Sequence, residues 1–172
     1  FLVLDKAPRM PDWWPVLFCF DDMHPVYIAL FLLSNVAYYI SSVVLLRDRR
    51  HPQLLALFTF LAALASTFYH LFQSMGMRIV AETLSYIDHG VAIAAGMYFL
   101  HKCGLPRLGT TILGFSGLSF LAFYGDFYAP LHSIWHVCSA GAIVSWANDR
   151  LVRRQRYIGR ELASKRRARL SK

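Results

Sequence analysis

Charged residues are scarce in this chain. They make up 16% of its 172 residues, whereas 56% of the residues are hydrophobic, and typical soluble domains carry about a quarter of charged residues. Only three cysteines occur, and no two of them have CxxC spacing. An odd number without that spacing indicates neither a disulfide framework nor a zinc ribbon. We therefore interpret the cysteines as buried apolar residues.

The hydrophobic residues lie in long runs. Each run has about twenty residues, enough for a helix to cross a bilayer core of ~30 Å. We therefore expect an all-α integral membrane bundle at 25–148 with about five transmembrane helices. An interfacial segment at 1–24 would precede it, and a basic tail at 149–172 would follow it. The expected spans are 25–46, 52–75, 82–101, 107–125 and 130–148.

Positive charge is distributed unevenly among the expected loops. The first and third loops are basic, whereas the N-terminal segment and the other loops are neutral or acidic. The positive-inside rule then predicts an N-terminus outside and a C-terminus inside. Ten of the eighteen Lys and Arg residues lie from Arg150 onwards. We interpret this run as a contact for anionic lipid headgroups or a partner subunit of a membrane complex rather than for nucleic acid. The pattern suits an endomembrane, the plasma membrane or an inner organelle membrane.

Several ionisable residues fall inside the expected spans, where they are costly and usually functional. Ser66 and His70 lie four residues apart in the second span, so they share a helix face. His132 and His136 have the same spacing in the fifth span, and Asp88 lies in the third. With a rise of ~1.5 Å per residue, helices of alternating direction bring these groups to one depth near the outer leaflet.

Three imidazoles and a carboxylate at one depth suit a zinc site. We predict His70, His132 and His136 as the ligands, because zinc takes nitrogen ligands in tetrahedral geometry. Three protein ligands leave one position for water, whose pKa zinc lowers toward ~7. We expect Asp88 to hold or deprotonate that water or to orient a ligand histidine. Ser66 would donate a hydrogen bond to a developing oxyanion.

The remaining polar residues have simpler interpretations. His89 is expected to be a neighbour of the site rather than a ligand. His24, His51 and His101 are expected at the membrane interface, without chemistry. Residues 124–126 include a tyrosine and an aspartate that would rim an entrance. A single HxxxH pair is a weak signal, so the metal prediction depends on the whole set.

The motifs around these residues resemble those of a known group of proteins. They read STFYH at 66–70, YIDHG at 86–90 and HSIWH at 132–136. Their order on the helices resembles the CREST superfamily of seven-span membrane hydrolases. That group includes alkaline ceramidases, adiponectin and progestin receptors, the Per1 family of GPI-lipid remodelling proteins and the TMEM8-like branch, whose motifs are the most similar. The resemblance covers roughly 25–148.

The resemblance implies a chemistry and two possible functions. In the family three histidines bind zinc, and an acyl chain of a lipid amide or ester lies inside the bundle. His70, His132 and His136 would be the zinc ligands, with Asp88 and Ser66 as catalytic supports. Two of the family's seven spans, which help to wall the lipid cavity, are missing here. We therefore expect either a zinc-dependent hydrolase of lipid amides or esters, ceramidase- or phospholipase-like, or a non-catalytic accessory subunit of a larger membrane complex that retains the zinc site.

Overall fold

The computed structural model describes residues 25–119 and 128–170. The predicted interfacial segment 1–24 and the predicted entrance residues 124–126 lie outside the described residues. The described residues form helices and no strand, which confirms the all-α prediction. In chain order the helices are α1 (Pro25–Ser34), α2 (Val36–Arg47), α3 (Gln53–Ser74), α4 (Arg78–Cys103), α5 (Leu108–Ser119) and α6 (Tyr128–Leu170).

Two stretches of the described chain are long and apolar enough to cross a membrane. They are Pro25–Arg47, which joins α1 and α2, and Gln53–Ser74, which is α3. The helix α4 has 26 residues, about 39 Å at the α-helical rise, but its sequence is less apolar. The helical bundle is therefore confirmed, whereas five spans and their orientation stay predictions.

The first predicted span, 25–46, is interrupted near its middle. The Ser34 hydroxyl donates to the Phe31 carbonyl oxygen at 2.6 Å. The amide of Asn35 bonds to the Leu32 carbonyl oxygen at 3.2 Å instead. This i→i−3 bond is tighter than the α-helical pattern, and it separates α1 from α2. The break between α1 and α2 thus coincides with a side-chain hydroxyl bonded to the carbonyl oxygen that the Asn35 amide would take in an α-helix.

The helices pack in a layered bundle. Helix α3 packs against both α2 and α4, and α6 contacts α1, α2, α4 and α5. Apolar side chains from α2, α3, α4 and α6 fill the end of the bundle that lies near the α2–α3 loop. We call this group the basal cluster; its buried members are Leu45, Leu55, Ala56, Phe99, Cys103 and Ala147.

Polar contacts join α6 to the turn that follows α4. The indole nitrogen of Trp146 donates to the Gly104 carbonyl oxygen at 2.7 Å. The Arg153 guanidinium donates to the carbonyl oxygens of Cys103 and Leu105. Gly104 has a φ of 67°, in the left-handed region that glycine adopts without steric cost. The last carbonyl groups of α4 thus find donors on α6.

The start of the predicted tail is part of the bundle. Asp149 is 6% exposed. Its carboxylate accepts hydrogen bonds from the Arg107 amide at 2.8 Å and the Thr110 hydroxyl at 3.0 Å. It also pairs with the Arg107 guanidinium at 3.3 Å. Beyond this contact α6 continues as a single helix, and residues 154–169 are all exposed.

Candidate metal centre

Helices α3 and α6 bring three histidines together. His70 lies near the end of α3, and His132 and His136 lie one turn apart near the start of α6. One ligating nitrogen from each lies within 4.8 Å of the others. Their ring centroids are 4.7 to 5.0 Å apart. His70 is 1% exposed and His136 is 2% exposed. This buried group could hold a metal ion.

Hydrogen bonds orient two of the three rings. The Nδ1 of His70 lies 2.9 Å from the Gln73 side-chain oxygen, which can only accept. The Nδ1 of His136 lies 2.7 Å from the Ser34 hydroxyl oxygen. That hydroxyl's one hydrogen is donated to Phe31, so its oxygen accepts from His136. Both rings therefore carry hydrogen on Nδ1, which leaves the Nε2 lone pair for a metal.

The third ring has an unpaired nitrogen. Within the described residues, Nδ1 of His132 is buried and has no hydrogen-bond partner. Burying a polar atom without a partner costs about 1–3 kcal/mol. An ion coordinated through this nitrogen would remove that cost. Three buried imidazoles are a donor set that suits zinc, copper, iron or nickel.

A cavity of about 460 Å³ opens beside the histidines. Both predicted catalytic residues line it, Asp88 from α4 and Ser66 from α3, and so do His132 and His136. His70 does not line the cavity itself; its ring packs against Phe31 on α1, with the two ring centroids 4.2 Å apart. Four of the five predicted site residues thus line one cavity, and His70 belongs to the histidine group beside it.

The cavity extends along the bundle from a polar end to an apolar end. One face of each of three helices lines the cavity, with lining residues at every third or fourth position. These faces lie within 59–73 on α3, 85–99 on α4 and 128–146 on α6. The far end meets the basal cluster, since Phe99 belongs to both and Trp146 packs against it. An elongated apolar space therefore leads away from the histidines.

His89 also lines the cavity but is held differently. Its Nδ1 donates to the Ser85 carbonyl oxygen at 2.6 Å, one turn earlier in α4. It is not a member of the metal-binding group found among the described residues. The structure therefore places His89 as a wall of the cavity beside Asp88.

The other histidines lie away from the site, apart from His24, which is outside the described residues. His101 is exposed near the end of α4. His51 is buried in the α2–α3 loop, 3.5 Å from the carboxylate of Asp48. In the same loop, hydrogen bonds from Arg50 lower the pKa of Asp48 to about 2. These contacts are those of a loop and supply no ligand to the metal centre.

Sequence reasoning missed two polar residues of the first span. Ser34 orients His136, and the Tyr38 hydroxyl bonds the Ser139 hydroxyl and lines the cavity. Ser34 and Tyr38 lie four residues apart. The same-face criterion applied to the second and fifth spans would therefore have found them.

Comparison with known proteins does not assign the chain. No family model matches the sequence, and no curated protein or solved structure is significantly similar to it.

Proposed function

We propose that this protein is a zinc-dependent, membrane-embedded hydrolase that cleaves amide or ester bonds of acyl lipids. One observation carries the proposal: a buried three-histidine group lies at the polar end of an elongated apolar cavity. A carboxylate and a hydroxyl, from Asp88 and Ser66, line that same end. The likeness of the three motifs to those of the CREST superfamily supports the same chemistry.

The proposal includes five membrane spans, with the N-terminus outside. The spans would be α1 with α2, α3, α4, the predicted span 107–125, of which the structure describes α5, and the first part of α6. Much of the polarity of α4 comes from residues that line the cavity, such as Ser85, Asp88 and His89, and these lower its mean hydropathy. On its outer surface, Ile93 and Met97 are 65% and 68% exposed. Such side chains suit contact with lipid tails.

The residues divide the reaction between them. A zinc ion held by the three histidines would supply the Lewis acidity that makes water nucleophilic near neutral pH. Asp88 acts as the general base that takes a proton from the attacking water. Ser66 donates a hydrogen bond to the acyl carbonyl oxygen as negative charge develops on it. Asp88 then returns the proton to the leaving amine or alcohol, and a fatty acid remains.

The apolar part of the cavity suits the acyl chain of the substrate. Most binding pockets combine a predominantly apolar lining with a few polar groups that fix orientation. Here the polar groups gather beside Asp88 and the histidines, and the apolar lining continues to Phe99. The scissile bond would lie among the polar groups, while the chain extends toward the basal cluster.

Metal content and acyl release test the proposal together. Protein purified in detergent should carry stoichiometric zinc by mass spectrometry and release fatty acid from N-acyl sphingosines or phospholipids. His136→Ala should lose both properties. His101→Ala is the matched control, because His101 is exposed on α4 and away from the cavity, and it should keep both. Stoichiometric zinc without acyl release from either lipid class would refute the hydrolase.

A second candidate is a non-catalytic subunit of a larger membrane complex that retains the metal site. One observation favours it: residues 154–169 form an exposed helical extension of α6, rich in arginine and lysine. This surface suits an acidic partner protein or anionic headgroups.

Truncation separates the two candidates. Removing residues 154–172 spares Arg153, which holds the end of α4. For a subunit, the truncated chain should lose co-purifying partners, and the intact protein should release no acyl chain. If the protein is a hydrolase, the truncated chain should still release acyl chains. Acyl release by a truncated chain that is monomeric would exclude the subunit hypothesis.

A further inference from the structure

We propose that the apolar end of the cavity sets the length of the acyl chain that this protein accepts. The specificity-determining residues are Phe99 and Trp146, at the end of the cavity, and Gly96, one turn of α4 before that end. This inference rests on the proposed function, since it assigns an acyl chain to the cavity.

The two long walls of the cavity end at the same depth. On α4, Phe99 lies eleven residues after Asp88, about 16 Å at the α-helical rise. On α6, Trp146 lies ten residues after His136, about 15 Å by the same measure. Both helices run away from the histidines, so a chain that starts there meets both aromatic rings together.

The aromatic pair forms a rigid floor. The ring centroids of Phe99 and Trp146 are 5.7 Å apart. The indole of Trp146 is held by its hydrogen bond to the Gly104 carbonyl oxygen at 2.7 Å. Phe99 is 2% exposed within the basal cluster, which fills the bundle behind it. A chain that reaches this floor can extend no further without displacing packed side chains.

Small residues keep the middle of the cavity open. The small residues Ala62, Ala92, Ala95 and Gly96 line it on the α3 and α4 sides, opposite Ile143 on α6. A Cβ atom added at Gly96 would meet no atom within 4 Å. A larger side chain at this position would therefore occupy cavity space without a steric clash at its Cβ. Gly96 lies eight residues after Asp88, about 12 Å along α4, so the obstruction would stop long chains and spare shorter ones.

Binding competition tests the inference without requiring hydrolysis. Detergent-purified protein is incubated with an equimolar mixture of saturated fatty acids from decanoate to icosanoate, and the retained acids are quantified by gas chromatography. Every variant meets the same acids in the same micelles, so a difference in preference between variants reports the cavity. The original protein should show one preferred length. Gly96→Phe should move it to shorter acids and Trp146→Ala to longer ones, each changing the ratio of long to short acids by about tenfold or more.

Matched variants separate the cavity from general effects. Gly90→Phe makes the same change on α4 at an exposed position that does not line the cavity, also without a Cβ contact, and should leave the profile unchanged. Trp146→Phe removes the hydrogen bond but keeps an aromatic floor, and it should shift the profile less than Trp146→Ala. Size-exclusion chromatography identifies variants that fail to fold.

The outcomes distinguish this inference from the proposed function. A graded length preference in a protein that releases no acyl chain would leave the length selection standing and refute the hydrolase. The opposite outcome is a protein that releases acyl chains but whose length preference is the same in folded Gly96→Phe, in Gly90→Phe and in the original protein. That result would overturn the length selection and leave the hydrolase standing.

Discussion

Replacing Ser34 by alanine should weaken metal binding although Ser34 is not a ligand. Its oxygen accepts the Nδ1 hydrogen of His136 at 2.7 Å, and this bond leaves Nε2 as the ring nitrogen that would bind a metal. Alanine leaves that hydrogen without an acceptor in a ring that is 2% exposed. His136 could then adopt the other tautomer, in which Nε2 carries the hydrogen and cannot bind a metal.

Two independent arguments give the same size of effect. Leaving a buried donor without a partner costs about 1–3 kcal/mol, which corresponds to a loss of affinity of about five- to 150-fold. Loss of the hydrogen-bond partner of a metal-binding histidine typically lowers metal affinity about 10- to 100-fold. We therefore expect zinc affinity to fall by about 10- to 100-fold in Ser34→Ala.

The affinity is measured by competition with a chromogenic zinc chelator in detergent. Ser42→Ala is the matched control, since Ser42 is a buried serine of the same predicted span whose hydroxyl bonds the Ala56 carbonyl oxygen at 2.9 Å, away from the histidines. Ser34→Thr retains a hydroxyl and should recover most of the affinity. If Ser34→Ala binds zinc as tightly as Ser42→Ala, the orienting role of Ser34 is wrong.

Three further outcomes are expected. Asp149→Ala should lower the free energy of unfolding by about 2–3 kcal/mol, because it removes a buried carboxylate that joins α5 to α6. A chemical denaturation curve in detergent measures this change, and a value near zero would contradict the stabilising role of the Asp149 hydrogen bonds. Leu45→Ala should cost about 3 kcal/mol by the same measurement, because Leu45 is 1% exposed in the basal cluster, and a neutral result would mean that the cluster repacks. Arg50→Ala should raise the pKa of Asp48 from about 2 toward its ordinary value, because the arginine hydrogen bonds hold it down; NMR titration of the carboxyl group measures this, and an unchanged pKa would assign the shift elsewhere.

The histidine group could be predicted because its signals are local. The spacing of His132 and His136 places both on one helix face whatever the rest of the chain does. The rise per residue then gives their depth relative to His70 on another helix. Length and hydropathy likewise predicted helices, since they depend on composition within each segment. These properties need no knowledge of which helices become neighbours.

The features that sequence reasoning missed depend on contacts between distant residues. The four-residue spacing of Ser34 and Tyr38 could mark a polar face, but the partner of Ser34 is His136, 102 positions away, so no local pattern gives their pairing. The break at Asn35 is visible only in the backbone hydrogen bonds around Phe31 and Leu32, which hydropathy does not register. Asp149 was assigned to the start of a solvated tail, yet it is buried against the beginning of α5. Its partners are defined only once the α4–α5 turn has folded back onto α6.

The contacts at the two ends of the α6 segment that lines the cavity keep the space between them from collapsing. Near the histidines, hydroxyl groups of Ser34 and Tyr38 anchor α6 to the first helix pair. At the opposite end, Trp146 and Arg153 anchor it to the turn after α4. Protein interiors normally pack without large voids, but a helix fixed at both ends cannot slide sideways to fill one. An apolar ligand can therefore bind in a preformed cavity without first separating the helices.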